Sequence, residues 1–298
     1  MRLSRCRLYD LGPEVDPGFH AAAGRFAAAQ IQHWQLLSFL IGSELLLPSP
    51  WAVVRSFCGL AQTTEFYRSI LHTLLRVAAG FAAGMAAGLL AGTLTAFSRA
   101  ADVLLTPLKN IIKATPVTSF IVLILLYFSS NVTPSAVAFL AVLPICWSNV
   151  CEGLRQTDKK MTELAHAYAF GRKKTLREIY FPAVRPYLSA AATTGLGFAW
   201  KSCVAAEVIA LSKNSVGRAL YESKLYLETA ELFAWTASVV LISVLFEKLL
   251  VHKLYKNTEG TAGRRSESLE HGHASCEAEL QYKSDAYAEY GRDEERNI

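Results

Sequence analysis

Residues 151–188 read CEGLRQTDKKMTELAHAYAFGRKKTLREIYFPAVRPYL, the one long charged interruption within an otherwise apolar stretch of chain. The segment holds Arg155, Lys159, Lys160, Arg172, Lys173, Lys174, Arg177 and Arg185. A basic loop between apolar segments predicts a cytoplasmic connection between membrane spans, because short loops rich in Lys and Arg are retained on that side. Within it Met161, Leu164, Ala165, Tyr168 and Ala169 recur at i, i+3, i+4, i+7 and i+8, the spacing of one apolar stripe on a short helix. Lys159, Lys160, Glu163 and His166 fall on the opposite face, and Asp158 is placed to cap the helix start. A second helical run over 174–180 is expected to end where Pro182 and Pro186 remove backbone donors. Such a helix pair either packs on its own protein or on lipid headgroups, or it presents a knob to a cytoplasmic partner.

On both sides of this loop the chain is built for lipid. Of its 298 residues 52% are hydrophobic and 18% charged, and the charges gather in the N-terminal arm, the central loop and the C-terminal tail. What lies between can cross a bilayer of ~30 Å at ~20 residues per helix, which predicts an all-α polytopic membrane protein with about six transmembrane helices. The spans are expected over 26–47, 69–97, a third ending at Phe128, a fourth ending at Val150 with a kink at Pro144, 187–211 and 232–251. Gln30, Gln32, His33, Gln35 and Glu44 interrupt the first. Residues 51–62 are too short and polar to span and suit a helix in the membrane interface. Residues 1–25 read as a polar arm, 26–256 as the membrane domain with its cytoplasmic loop at 152–186, and 257–298 as a disordered cytoplasmic tail. No apolar core of a cleavable signal is evident in the first thirty or so residues, so insertion is expected to rely on the first span. With about six spans both termini fall in the cytoplasm, and the Lys- and Arg-rich segments 99–113 and 151–188 face inward.

Three features inside the spans bear on packing and passage. Gly80, Gly84, Gly88 and Gly92 stand at strict four-residue spacing, flanked by Ala83, Ala87 and Ala91, and small residues at that spacing let a second helix approach closely. Pro116, between Thr115 and the pair Thr118 and Ser119, removes a helix hydrogen bond beside hydroxyls that can serve freed backbone groups or a polar path. Lys201 and Glu207 are ionisable residues within one span, where each costs ~2.5–3.5 kcal/mol unless it faces protein or water. At six residues apart they share no helix face, so each needs its own partner. Arg76 and His72, near the outer end of the second span, read as interface anchors.

Several classes are excluded. The net charge of +5 belongs to membrane loops, and no aromatic and basic interleaving points to nucleic acid. The chain has no GxxxxGK[ST] phosphate loop, no HExxH, no paired-carboxylate site and no Ser-His-Asp arrangement, so it reads as a non-enzyme, and a pump built on it must borrow its energy from another subunit. Its six cysteines form no CxxC pair and read as small apolar side chains or free thiols. His271, His273 and Cys276 lack a fourth ligand, and no metal or cofactor is expected.

The central loop also resembles a known family. Glu163-Leu164-Ala165, then Ala169, then Ile179, Phe181 and Pro182 follow the order of the E-A-A, three residues, G, nine residues, I-x-L-P loop of binding-protein-dependent ABC importer permeases. Leu164, Ala169 and Phe181 depart from the pattern, and Gly171 lies two residues late. LPSP at 47–50, LLRVAAGFAAG at 74–84 and FAWKSCVAAEVIA at 198–210 look like the nitrate, sulfonate, taurine and bicarbonate branch. The resemblance implies a type I importer permease fold, in the cell membrane, whose loop is the coupling helix. On that reading Glu163, Leu164, Ala165, Tyr168, Ala169, Gly171, Ile179 and Pro182 dock an ABC ATPase subunit, which hydrolyses the ATP. It further implies a second permease copy as a homodimer, an external solute-binding protein, and a translocation path to which Thr115, Pro116, Thr118, Ser119, Lys201 and Glu207 are candidates. The solute would be a small anion such as a sulfonate, taurine, nitrate or bicarbonate. An ion-coupled secondary transporter, or a permease for a thiamine-precursor pyrimidine, remains open at this point.

Overall fold

The computed structural model describes residues 17–246 and Lys248, and among them every regular element is helical. In chain order these are α1 (Pro17–Ile41), α2 (Pro50–Leu60), α3 (Thr64–Phe97), α4 (Arg99–Ala114), α5 (Val117–Tyr127) and α6 (Thr133–Arg155). The central loop holds α7 (Lys159–Ala167), α8 (Arg172–Thr175) and a π turn (Leu176–Tyr180). Then come α9 (Phe181–Ala210), α10 (Val216–Leu225) and α11 (Thr229–Phe246).

Among the described residues α3, α6 and α11 are each long and apolar enough to cross a membrane, and α4 with α5 makes a fourth candidate, bent by 104° at the break. Pro116, at φ −59° and ψ 138°, stands at that break and starts α5 with no N–H of its own. Helices α1 and α9 have the length but fall short on composition. The expected first span begins earlier than its apolar residues do, because Ala21–Ala23 and Ala27–Ala29 are strong helix formers. It also ends earlier: Gly42, at φ +62°, stops α1, and residues 43–47 form a turn in which the Leu46 and Leu47 amides donate to Ser43 O. Helix α2 starts at the interface segment, with the Ser49 hydroxyl accepting from Ala52 N–H at 3.2 Å and Pro50 in the first turn.

The prolines after the central loop do not end a helix, contrary to the sequence expectation. The Phe181 amide bonds back to Leu176 O across the π turn, so α8, the π turn and α9 follow one another without a break. Pro182, which has no donor, directly follows the π turn, whose widened Phe181-to-Leu176 bond carries the helix past it. The expected tail at 257–298 and the set of His271, His273 and Cys276 lie outside the described residues.

By internal contacts the chain divides into two compact units. The first takes residues up to Ala83, Thr115–Ala141 and Ala199–Ile242. Its core joins Phe66, Val216 and Trp235 with Phe57, Leu60 and Ile70, and a second cluster joins Ile121, Val137 and Ala206. Gly80 lies against α6, where a Cβ would stand 2.4 Å from Ser135 O. The second unit takes Gly84–Ala114, Val142–Phe198 and residues from Ser243 onward. Its core holds Cys146, Val150, Val184 and Ala191 with Met85, Leu154 and Leu188 against them. Here too the α3 stripe meets α6: a Cβ on Gly88 would lie 2.6 Å from Cys146 Cβ, and one on Gly92 2.9 Å from Trp147 O. The Trp147 indole N–H donates to the Thr95 hydroxyl at 3.0 Å. Arg155 pairs with Asp102 at 2.6 Å, and Asp102 also accepts from the Thr106 hydroxyl at 2.8 Å.

Candidate functional site

The central loop is held at both ends of α7. Asp158 Oδ1 accepts from the Lys160 amide at 2.9 Å, satisfying a donor that the first helical turn leaves unpaired. At the far end Ala169 adopts φ +50°, which turns the chain so that Phe170 N–H reaches Ala165 O at 2.9 Å. Gly171 follows, in open space, and its carbonyl accepts from Lys174 and Thr175 to begin α8. The Lys174 ammonium sits 4.1 Å above the Phe170 ring, and Tyr180 meets Phe97 edge-on at 5.3 Å.

The apolar stripe of α7 splits in two. Met161, Leu164 and Tyr168 are 45%, 54% and 71% exposed, whereas Ala165 is only 4% exposed. Three large apolar side chains thus stand outward along one line at i, i+3 and i+7, and the small residue beside them faces its own chain. Ala165 is therefore a seat for the helix and not part of an outward face. Glu163, Ala169 and Gly171 are exposed, Ile179 is half-buried and Pro182 is exposed at the start of α9. The loop's base is fixed by Tyr187, whose hydroxyl donates to Gln156 Oε1 at 2.5 Å and whose ring packs where a Cβ on Gly153 would be.

The ionisable residues of α9 have different fates. Glu207 is fully enclosed in the first unit. Its carboxylate pairs with the Arg76 guanidinium at 2.9 Å and accepts from the Thr73 hydroxyl at 2.9 Å and from Gly217 N–H at 3.2 Å. Arg76 is thus no interface anchor: it points inward to a carboxylate and also donates to Lys213 O at 2.9 Å. Thr73, fully buried, accepts from Val216 N–H at 3.2 Å while it donates to Glu207. Asn131 Oδ1 accepts from Lys213 N–H at 3.0 Å, and the Ser212 hydroxyl donates to Ser130 O at 2.5 Å. A Cβ on Gly217 would stand 2.4 Å from Glu207 Cβ, so only glycine lets that amide reach the carboxylate. The network binds α3, the turn before α6, the end of α9 and the start of α10 into one polar clamp. Sequence reasoning missed Thr73, Asn131 and Gly217, and the signal for them was Glu207 itself, which had to find donors.

Lys201 is exposed on the same helix, and no ion pair to it forms among the described residues. The remaining path candidates lie near the bend: Thr118 and Ser119 are exposed and line an open groove with Val122, Leu123 and Leu126, and Pro116 is exposed at the helix break. Thr115 is half-buried. No group of His, Cys, Asp and Glu side chains among the described residues converges as metal ligands.

Residues 84–255 match the family of binding-protein-dependent transport system inner membrane components. The chain is 27% identical to the SsuC permease protein of Bacillus subtilis (strain 168), named for aliphatic sulfonates transport, over 77% of this chain and 84% of that one. It is 29% identical to its namesake in Escherichia coli (strain K12), over 73% and 80% of the two chains. Against the riboflavin transport system permease protein RibX of Chloroflexus aurantiacus the identity is 31%, over 73% and 84%. With more than half of its length matched, the chain belongs to the family of binding-protein-dependent transport system inner membrane components.

Proposed function

We propose that this chain is the membrane-spanning subunit of an ATP-driven importer, with its central loop as the docking element for an ABC ATPase. The observation that carries the reading is the outward line of Met161, Leu164 and Tyr168 on a helix capped by Asp158 and seated by Ala165. Large apolar side chains held out on a short, fixed helix fit a groove in a partner and have no use in water. Glu163, Ala169, Gly171, Ile179 and Pro182 flank that line. Because the sequence has no phosphate-binding loop, the ATP belongs to the partner. About six spans with both termini in the cytoplasm put the basic loop on the ATPase side. Two permease copies would enclose a path lined by Thr115, Pro116, Thr118, Ser119 and Lys201, and an external binding protein would deliver the solute. Glu207, walled in by Arg76, Thr73 and Gly217, serves the clamp instead of the path. The sulfonate-named relatives favour a small organic anion as cargo.

The test is a mild-detergent pull-down of the tagged chain from its native membrane, with Leu164→Asp beside the wild type. Leu164 is exposed, so the charge leaves the fold intact and strikes only the docking line. Recovery of an ATPase subunit with the wild type and its loss in the variant is the expected result. Equal recovery from both would remove the docking assignment, and a chain that never brings an ATPase with it would return the importer itself to question, in favour of ion-coupled transport.

A further inference from the structure

Lys201 is the deep charge of α9 that the clamp leaves over. Its position rules out escape to the membrane surface: at 1.5 Å per residue it lies about 13 Å along the axis from Ala210, where α9 ends, and about 30 Å from Phe181 at the start, both beyond the reach of a lysine stem. Glu207, the only acidic residue of α9, is already saturated by Arg76, Thr73 and Gly217. An ammonium at that depth with no ion pair among the described residues is costly in lipid and stable only where water or an anion reaches it.

The surroundings of Lys201 on its own helix agree. Over their central turns the exposed positions of α3 and α11 carry no charge: Leu75, Leu89 and Leu241 stand out beside small residues such as Ala78, Ala82 and Ala86. Along the exposed side of α9 Lys201 stands between Phe198, 53% exposed, and the small Ala205, with Thr194 a turn before Phe198. Against these uncharged faces the Lys201 ammonium is the exposed charge in the C-terminal half of α9, where Glu207 is buried.

We infer that Lys201 is the charge-selecting residue of the solute path, its ammonium facing water and favouring an anionic cargo, such as an organosulfonate, over a neutral one. This rests on the importer reading above. A cation in a cleft with low-dielectric walls is felt strongly by a passing anion, because field lines are focused into the water. It offers nothing to a neutral flavin. Overall identity does not separate those cargoes, since the relatives named for sulfonates and for riboflavin are about equally similar to this chain.

The experiment uses the intact importer, copurified with its ATPase and binding protein and placed in proteoliposomes. Lys201→Cys in a background with Cys6, Cys58 and Cys276 replaced by Ser should react with the membrane-impermeant reagent sulfonatoethyl methanethiosulfonate above the level of that background alone, because a path residue is wet. Uptake of radiolabelled ethanesulfonate should fall about tenfold in Lys201→Gln and stay within about threefold of wild type in Lys201→Arg, which keeps the charge. An unreactive thiol in the Lys201→Cys protein would mean that the side chain faces lipid or a packed contact with a second copy, and would overturn the inference. Undiminished ethanesulfonate uptake in Lys201→Gln, or wild-type uptake of riboflavin in place of ethanesulfonate, would overturn it too. In each of these cases ATPase copurification would persist, whereas failure of the importer reading would show as its loss from the wild type.

Discussion

Ala169 turns the central loop with φ +50°, a left-handed conformation that costs a residue with a Cβ about 1–2 kcal/mol. The family's loop pattern places glycine at this position, and the structure supplies the reason: α7 must reverse there so that Phe170 N–H can reach Ala165 O. Ala169→Gly should therefore stabilise the turn by up to about 1 kcal/mol, after allowance for the greater freedom of glycine in the unfolded chain. Hydrogen exchange at the Phe170 amide reads this directly, and slower exchange is expected; faster exchange would show that the turn is held by contacts and not by its own backbone. The departure from the pattern at Ala169 was visible in the sequence, but the φ that makes it matter was not. The same limit applies to Ala165, which shares the apolar spacing of Leu164 and Tyr168 yet faces its own chain, because a stripe two residues wide has an inner and an outer edge.

Among the helices, α3 was the most legible. Its glycines recur every four residues, a spacing that needs no tertiary information to be read as a contact line, and α6 is the helix that fills it. Gly88→Leu drives a side chain into Cys146 and Leu143 and should cost about 1–3 kcal/mol, seen as a lowered denaturation temperature in detergent. Gly59→Ala, on α2, has nothing within 4 Å of the new methyl and serves as the control that keeps its stability. An unchanged midpoint for Gly88→Leu would mean that α3 and α6 do not touch there. Elsewhere local rules were overridden. Proline's rule failed at Pro182 because a π turn takes up the missing bond just before it, and such a turn leaves no mark in composition. The start of α1 at Pro17 escapes apolar periodicity because alanine's helix propensity carries its first turns.

At the scale of the molecule, the two charges of α9 have opposite surroundings, one buried in an ion pair and one exposed. Glu207 and Arg76 close the first unit, and Lys201 is left facing out. Sequence alone marked both α9 charges as needing partners but could not deal them out, since Arg76 lies 131 residues from Glu207 and no local pattern joins them. Removing one member strands the other: Arg76→Met should destabilise the folded chain by about 3–5 kcal/mol, and adding Glu207→Met should restore much of the loss. Thermal denaturation of the single and double variants in detergent checks this, and additive losses would deny the coupling. The same pair fixes an order of events during synthesis. Arg76 emerges from the ribosome long before its carboxylate exists, by about ten seconds at a common elongation rate. During that interval α3 carries an unanswered guanidinium, which makes the half-made chain a natural target for quality control until α9 arrives to neutralise it.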